Sequence, residues 1–210
     1  MLFDLFLSCL TANYNKCPGT CDYAIRLARD KLYVYFKSSD GVRDWINNLD
    51  FPAKSYCNSG EKWYCHRGFL RAWKNISDRL DARIEDIIKR KNIRELIIVG
   101  YSHGAALSLF ALEHFSFLYG DSVNVTAYGF GAPRVVFGIL PKNVKKRLDK
   151  FIIIRNVPDI VTHVPPSFFM YRHVGHLIRI GENGRYGPFS AHAPYPYLLS
   201  LHELRRKNPD

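Results

Sequence analysis

The chain has 210 residues, 47% hydrophobic and 23% charged, and its 30 Lys and Arg against 19 Asp and Glu give a formal net charge of +11. That length and balance exclude a disordered or fibrous chain and fit a single domain with one full core. No apolar run reaches the roughly 20 residues that cross a bilayer as a helix. The basic excess is scattered over 89–94, 142–147 and 205–207 with no nucleic-acid-binding module beside it. It therefore points to an anionic lipid surface as partner, with no nucleic acid expected.

Residues 1–30 are expected to form a helical segment packed on a domain that runs over 31–210. The start resembles a signal peptide only weakly, because Asp4 stands where basic residues would be needed. The expectation is thus a cytoplasmic or particle-associated protein. The sequons Asn75-Ile76-Ser77 and Asn124-Val125-Thr126 keep a secreted alternative open. Cys9, Cys17, Cys21, Cys57 and Cys65 are odd in number and lack zinc spacing, which suggests reduced thiols.

Alternating aromatic and β-branched residues predict a strand over 31–36. Val42, Trp45, Ile46 and Leu49 then recur at i, i+3, i+4 and i+7, one apolar face of a short helix. That face packs on the core or serves as a lid over a substrate site. Ile76, Leu80, Ile84, Ile87 and Ile88 predict an amphipathic helix leading to a buried strand at 97–99 and a second helix over 105–112. Strands follow at 124–130, 151–155 and 176–180, with helices over 141–150 and 197–207. Alternating strand and helix predict an α/β sandwich with a mostly parallel sheet.

Gly100, Tyr101, Ser102, His103 and Gly104 read G-x-S-x-G between an apolar strand and an apolar helix. A serine on so sharp a turn stands out at the carboxyl end of the sheet, where parallel α/β sheets bind ligands. The flanking glycines let strand and helix approach closely. The His103 amide, opening the helix, points to where a substrate oxyanion would form.

A serine hydroxyl needs a base to become nucleophilic, and the base needs an orienting acid. The acids downstream are Glu113, Asp121, Asp149, Asp159, Glu182 and Glu203. Asp159 stands out because it follows the predicted strand 151–155, on a loop at its carboxyl end. Among His163, His173, His176, His192 and His202, His192 falls in a loop just before the last helix, whereas His202 sits within it. His173 and His176 have metal-like spacing but no third ligand, so a packed or hydrogen-bonded pair is expected. The chemistry needs neither metal nor cofactor.

Several ordered segments resemble the class 3 lipases of the α/β-hydrolase superfamily. The stretch from Phe36 to Ser39, followed by Asp44, Trp45, Asn48 and Leu49, is similar to the family's F-R-G-[TS] strand end and lid. His66, Gly68 and Phe69 resemble V-H-x-G-F with its following helix, and residues 100–105 match G-H-S-L-G-G at its essential positions. Residues 128–135 resemble T-F-G-x-P-R-V-G, 156–166 resemble N-x-x-D-x-V-P-x-L-P-P, and 171–175 resemble Y-x-H-x-G. Lys37 and Ser38 depart from the R-G of the first element, and His103 and Ala105 from the L-G-G of the elbow.

The resemblance implies an α/β-hydrolase fold, a minimal single domain with a short lid. It implies Ser102 as nucleophile, Asp159 as orienting acid and His192 as general base, with an oxyanion hole from the amides of Ser39 and His103 and the Ser39 hydroxyl. The implied activity is hydrolysis of lipid carboxylic esters, with lipase, phospholipase A1 and short-chain esterase all open. The alternative is a catalytically silent lipid-binding or structural protein of the same fold.

Overall fold

The computed structural model describes residues 1–17, 21–37, 52–58 and 60–207. In chain order its first elements are α1 (Leu2–Thr11), β1 (Tyr23–Ala28), β2 (Lys31–Phe36), β3 (Ala53–Cys57), β4 (Lys62–His66), α2 (Arg67–Lys74) and α3 (Ser77–Arg90). Next come β5 (Glu95–Tyr101), α4 (His103–Tyr119), β6 (Asn124–Phe130), β7 (Val136–Phe137), α5 (Lys142–Leu148) and β8 (Phe151–Asn156). The last are β9 (Tyr171–Arg172), β10 (His176–Ile180) and α6 (Pro194–Lys207).

The central sheet has the order β1-β2-β5-β6-β8-β10, and every pairing but β1 with β2 is parallel. Side chains alternate across it, as the two-residue period of a strand demands. Leu32, Val34, Phe36, Leu96 and Ile98 face the core beneath α4, while Tyr35, Val99 and Tyr101 face α1 and α6. Helices thus cover both faces, the arrangement that buries a parallel sheet. α4 is wrapped on all sides: Gly104 to Phe115 are buried, including Glu113, whose carboxylate is held by Arg147 at 2.8 Å. A carboxylate at such depth is tolerated only when paired.

The expected N-terminal helix is α1, but the second half of 1–30 contributes a strand. Tyr23 and Ala24 of β1 are buried, and β1 joins β2 through a two-residue hairpin in which Arg29 takes φ +56°. Arg-Asp lacks the Asn-Gly or Gly signature of such hairpins, which is why the turn is silent in the sequence. A second, antiparallel sheet, ordered β3-β4-β7-β9, was likewise not expected. Its β7 and β9 are two residues long, too short to carry a period. Among the described residues no helix is long and apolar enough to cross a membrane.

Candidate active site

Ser102 is the hinge between β5 and α4 and takes φ +57°, ψ −121°. That backbone costs a non-glycine residue about 1–3 kcal/mol, and its neighbours hold it there. The Ser102 N–H donates to the Phe130 carbonyl at 2.9 Å, and the Ser102 carbonyl accepts from Ala105 N–H at 2.9 Å. A Cβ on Gly100 would stand 2.2 Å from the Gly104 carbonyl oxygen, and one on Gly104 would stand 2.3 Å from that of Phe36. The two glycines therefore let α4 start directly against the ends of β5 and β2.

Asp159 follows β8 and caps a one-turn helix at Ile160–His163, its Oδ1 accepting from Val161 N–H at 2.9 Å. Its Oδ2 accepts from the Tyr197 hydroxyl at 2.6 Å and pairs with His192 Nδ1 at 2.7 Å. Three donors thus hold a carboxylate that is 0% exposed. Its hydrogen bonds are made within the protein, as a polar group at that depth requires. With Nδ1–H given to Asp159, His192 turns the lone pair of Nε2 toward Ser102 Oγ, 2.8 Å away. Ser102 is fully buried and His192 is 5% exposed, so water competes little for these bonds.

Residues absent from the motif reading complete the site. Tyr101, beside Ser102 in sequence, stacks on the His192 ring at 5.2 Å and 24° and donates its hydroxyl to the His192 carbonyl. Tyr197, on α6, also accepts the Asn156 N–H at 3.1 Å, while the Asn156 side chain donates to the Ala191 carbonyl at 3.0 Å. Burial first, and the Asp159 charge second, push both tyrosine hydroxyls well above their usual range, so both stay protonated donors. Gly131, at φ +59°, passes so close that a Cβ there would stand 2.9 Å from His192 Cε1. Only position after folding identifies these partners.

His103 opens α4, so its amide belongs to the helix turn whose N–H groups point outward. Its ring packs on Phe69 at 5.6 Å, and burial lowers it to about 4, so the imidazole is neutral. Ser39, the other expected oxyanion donor, and Val42, Trp45, Ile46 and Leu49 of the expected lid lie outside the described residues. His173 and His176 do not act as a pair: His173 Nε2 donates to the Thr162 carbonyl at 2.8 Å, and His176 lies 3.8 Å from Asp149. Among the described residues no three metal-ligating side chains converge.

This arrangement can take a proton from a hydroxyl, hold the resulting imidazolium, and present an alkoxide beside a helix N-terminus. Comparison with known proteins points the same way. A family model described as lipase (class 3) matches residues 33–169. A lipase from Rhizomucor miehei is 32% identical over 72% of this chain and 42% of its own length. A phospholipase A1-II 3 from Oryza sativa subsp. japonica is 30% identical over the same shares. The chain thus spans under half the length of these curated relatives. A solved triacylglycerol lipase whose catalytic centre is a serine-protease triad is 27% identical, with a TM-score of 0.66 over 78% of this chain and 63% of that one.

Proposed function

Because the chain belongs to the class 3 lipase family, we propose that it is a serine hydrolase of lipid carboxylic esters acting through an acyl-enzyme on Ser102. The observation that carries this reading is the Ser102 hydroxyl on its strained turn, 2.8 Å from a His192 nitrogen whose opposite face is anchored on Asp159. Ser102 Oγ attacks the ester carbonyl carbon while His192 Nε2 takes its proton. The His103 amide donates to the resulting oxyanion. Collapse expels the alcohol, which leaves with the proton from His192, and the acyl group stays on Ser102. A water molecule then attacks the acyl carbon, again with His192 as base, releasing the acid.

Relatives named lipase, mono- and diacylglycerol lipase and phospholipase A1 support glycerides or phospholipids as substrates, and those named as secreted lipases support a secreted setting. The net charge of +11 favours acidic lipid among them. Labelling with a fluorophosphonate probe tests the reading. The wild type should label and Ser102→Ala should not, with kcat on p-nitrophenyl esters falling by about 10³–10⁶. Ester hydrolysis that survives Ser102→Ala would end the assignment. A folded wild type that neither labels nor hydrolyses would point to the silent binding protein.

A further inference from the structure

Two segments run outward from the carboxyl ends of β6 and β8, starting at Gly131 and Asp159, both of which meet His192. They end side by side. β7 pairs with β9, and the Gly138 N–H donates to the Met170 carbonyl at 3.1 Å. At the tips Ile139 is 87% exposed, Phe168 78% and Met170 61%, with the ring of half-exposed Phe169 4.4 Å from that of Phe168. Single exposed apolar residues are ordinary, but a contiguous group marks a contact surface.

Met170 adds a second observation. It takes φ +66°, ψ +9°, the left-handed region that a long side chain disfavours. Hydrogen bonds from its N–H to the Ser167 carbonyl and from the Gly138 N–H to its own carbonyl hold this backbone. Its side chain lies in solvent, with no core packing to offset the strain. The charges form a third. Neither 131–148 nor 160–181 contains an Asp or Glu, yet they carry exposed Lys142, Lys145, Lys146 and Arg172. The strands of the smaller sheet add exposed Lys54 and Lys62, with Glu61 just ahead of Lys62 paired to Arg147.

We propose that the prominence of Ile139, Phe168 and Met170 docks the protein on an anionic phospholipid surface. Its apolar side chains enter the acyl boundary and the surrounding cations meet the phosphates. An apolar tip on segments where bases outnumber acids suits that interface, and Glu61, the acid beside them, is held by Asn143 and Arg147. The segments that carry the tip also carry Asp159 and line His192, so docking there would turn the site's edge of the sheet toward the lipid. This deepens the reading of the protein as a lipid-ester hydrolase and rests on it.

The test uses vesicles of ether-linked phosphatidylcholine, with or without an equal part of ether-linked phosphatidylserine, so that no ester is cleaved during binding. The wild type should bind the mixed vesicles more tightly than the neutral ones. Replacing Ile139, Phe168 and Met170 together by Ser should weaken binding at least about tenfold while p-nitrophenyl butyrate hydrolysis is kept. Met170→Gly guards against a folding artefact. Glycine takes φ +66° without strain, so Tm should rise while vesicle binding falls.

A wild type that ignores the mixed vesicles, or Met170→Gly and triple variants that bind as it does, would overturn the proposal. So would a wild-type dimer that the triple substitution splits with vesicle binding intact, which would make the prominence a contact between copies. Failure of Ser102 labelling would sink the hydrolase reading instead, and vesicle binding would still be measured independently of it.

Discussion

His192 meets Asp159 at 2.7 Å, and His114 meets Asp81 at the same 2.7 Å, yet beyond that contact the two pairs differ. The second nitrogen of His192 faces the Ser102 hydroxyl at 2.8 Å, while that of His114 faces the Asn58 amide nitrogen at 2.6 Å. A hydroxyl can give its proton to a base and become a nucleophile. An amide N–H only occupies the lone pair. Asp159 is fully buried with both oxygens bonded, whereas the Asp81 side chain is 30% exposed and its Oδ1 has no hydrogen-bond partner among the described residues. A histidine–carboxylate contact is thus common currency in a fold; the third group and the completeness of the carboxylate's bonding decide whether it can do chemistry.

The comparison breaks most directly by neutralising each acid. Asp159→Asn should lower kcat by about 10⁴, because the amide no longer enforces the His192 tautomer. Asp81→Asn should leave kcat within about twofold and lower Tm by about 2–4 °C for each kcal/mol lost. Equal losses of kcat in the two variants would make the pairs alike and remove the distinction.

A smaller effect tests the bonding of Asp159 itself. Tyr197→Phe removes one donor to its carboxylate and leaves the buried Asn156 N–H without its acceptor. Stability should fall by about 1–3 kcal/mol. We expect kcat to drop about tenfold with KM unchanged, since one charge-stabilising hydrogen bond is lost behind the base. Unaltered kcat in a folded Tyr197→Phe protein would show that two donors suffice.

Two half-buried histidines outside either pair give the smallest and most graded effect. Burial lowers both His103 and His173 from 6.5 to about 4. Each binds a proton more readily unfolded than folded, so the stability they contribute is complete above pH 6.5 and is lost as pH falls toward 4. The slope is about 1.4 kcal/mol per pH unit for each protonating histidine. Urea midpoints measured from pH 7 to 4 should decline, and His173→Gln should flatten the curve. A midpoint constant down to pH 5 would contradict the burial of these rings.

Ser102, Asp159 and His192 were legible because each sits at a chain position that local rules mark: a glycine-flanked strand–helix turn, a loop after a strand, and a loop before the last helix. Tyr101 and Tyr197 were not, although they lie one residue from Ser102 and five from His192. Nothing local makes a tyrosine a carboxylate donor; Tyr197 reaches Asp159 only because α6 packs across the sheet. The parallel strands were readable as apolar runs. β1 was missed through its unmarked hairpin, and β7 and β9 because two residues cannot show alternation.

The thiols carry a practical consequence. Burial raises Cys9 to about 12 and pushes Cys21 and Cys65 higher still, and Cys17 is enclosed, while Cys57 alone is exposed. Because the thiolate is what reacts, a maleimide dye on the native protein would attach at one point, the end of β3 next to Asn58. The fold thereby supplies its own fluorescent reporter position, set beside the His114–Asp81 pair and requiring no engineered cysteine.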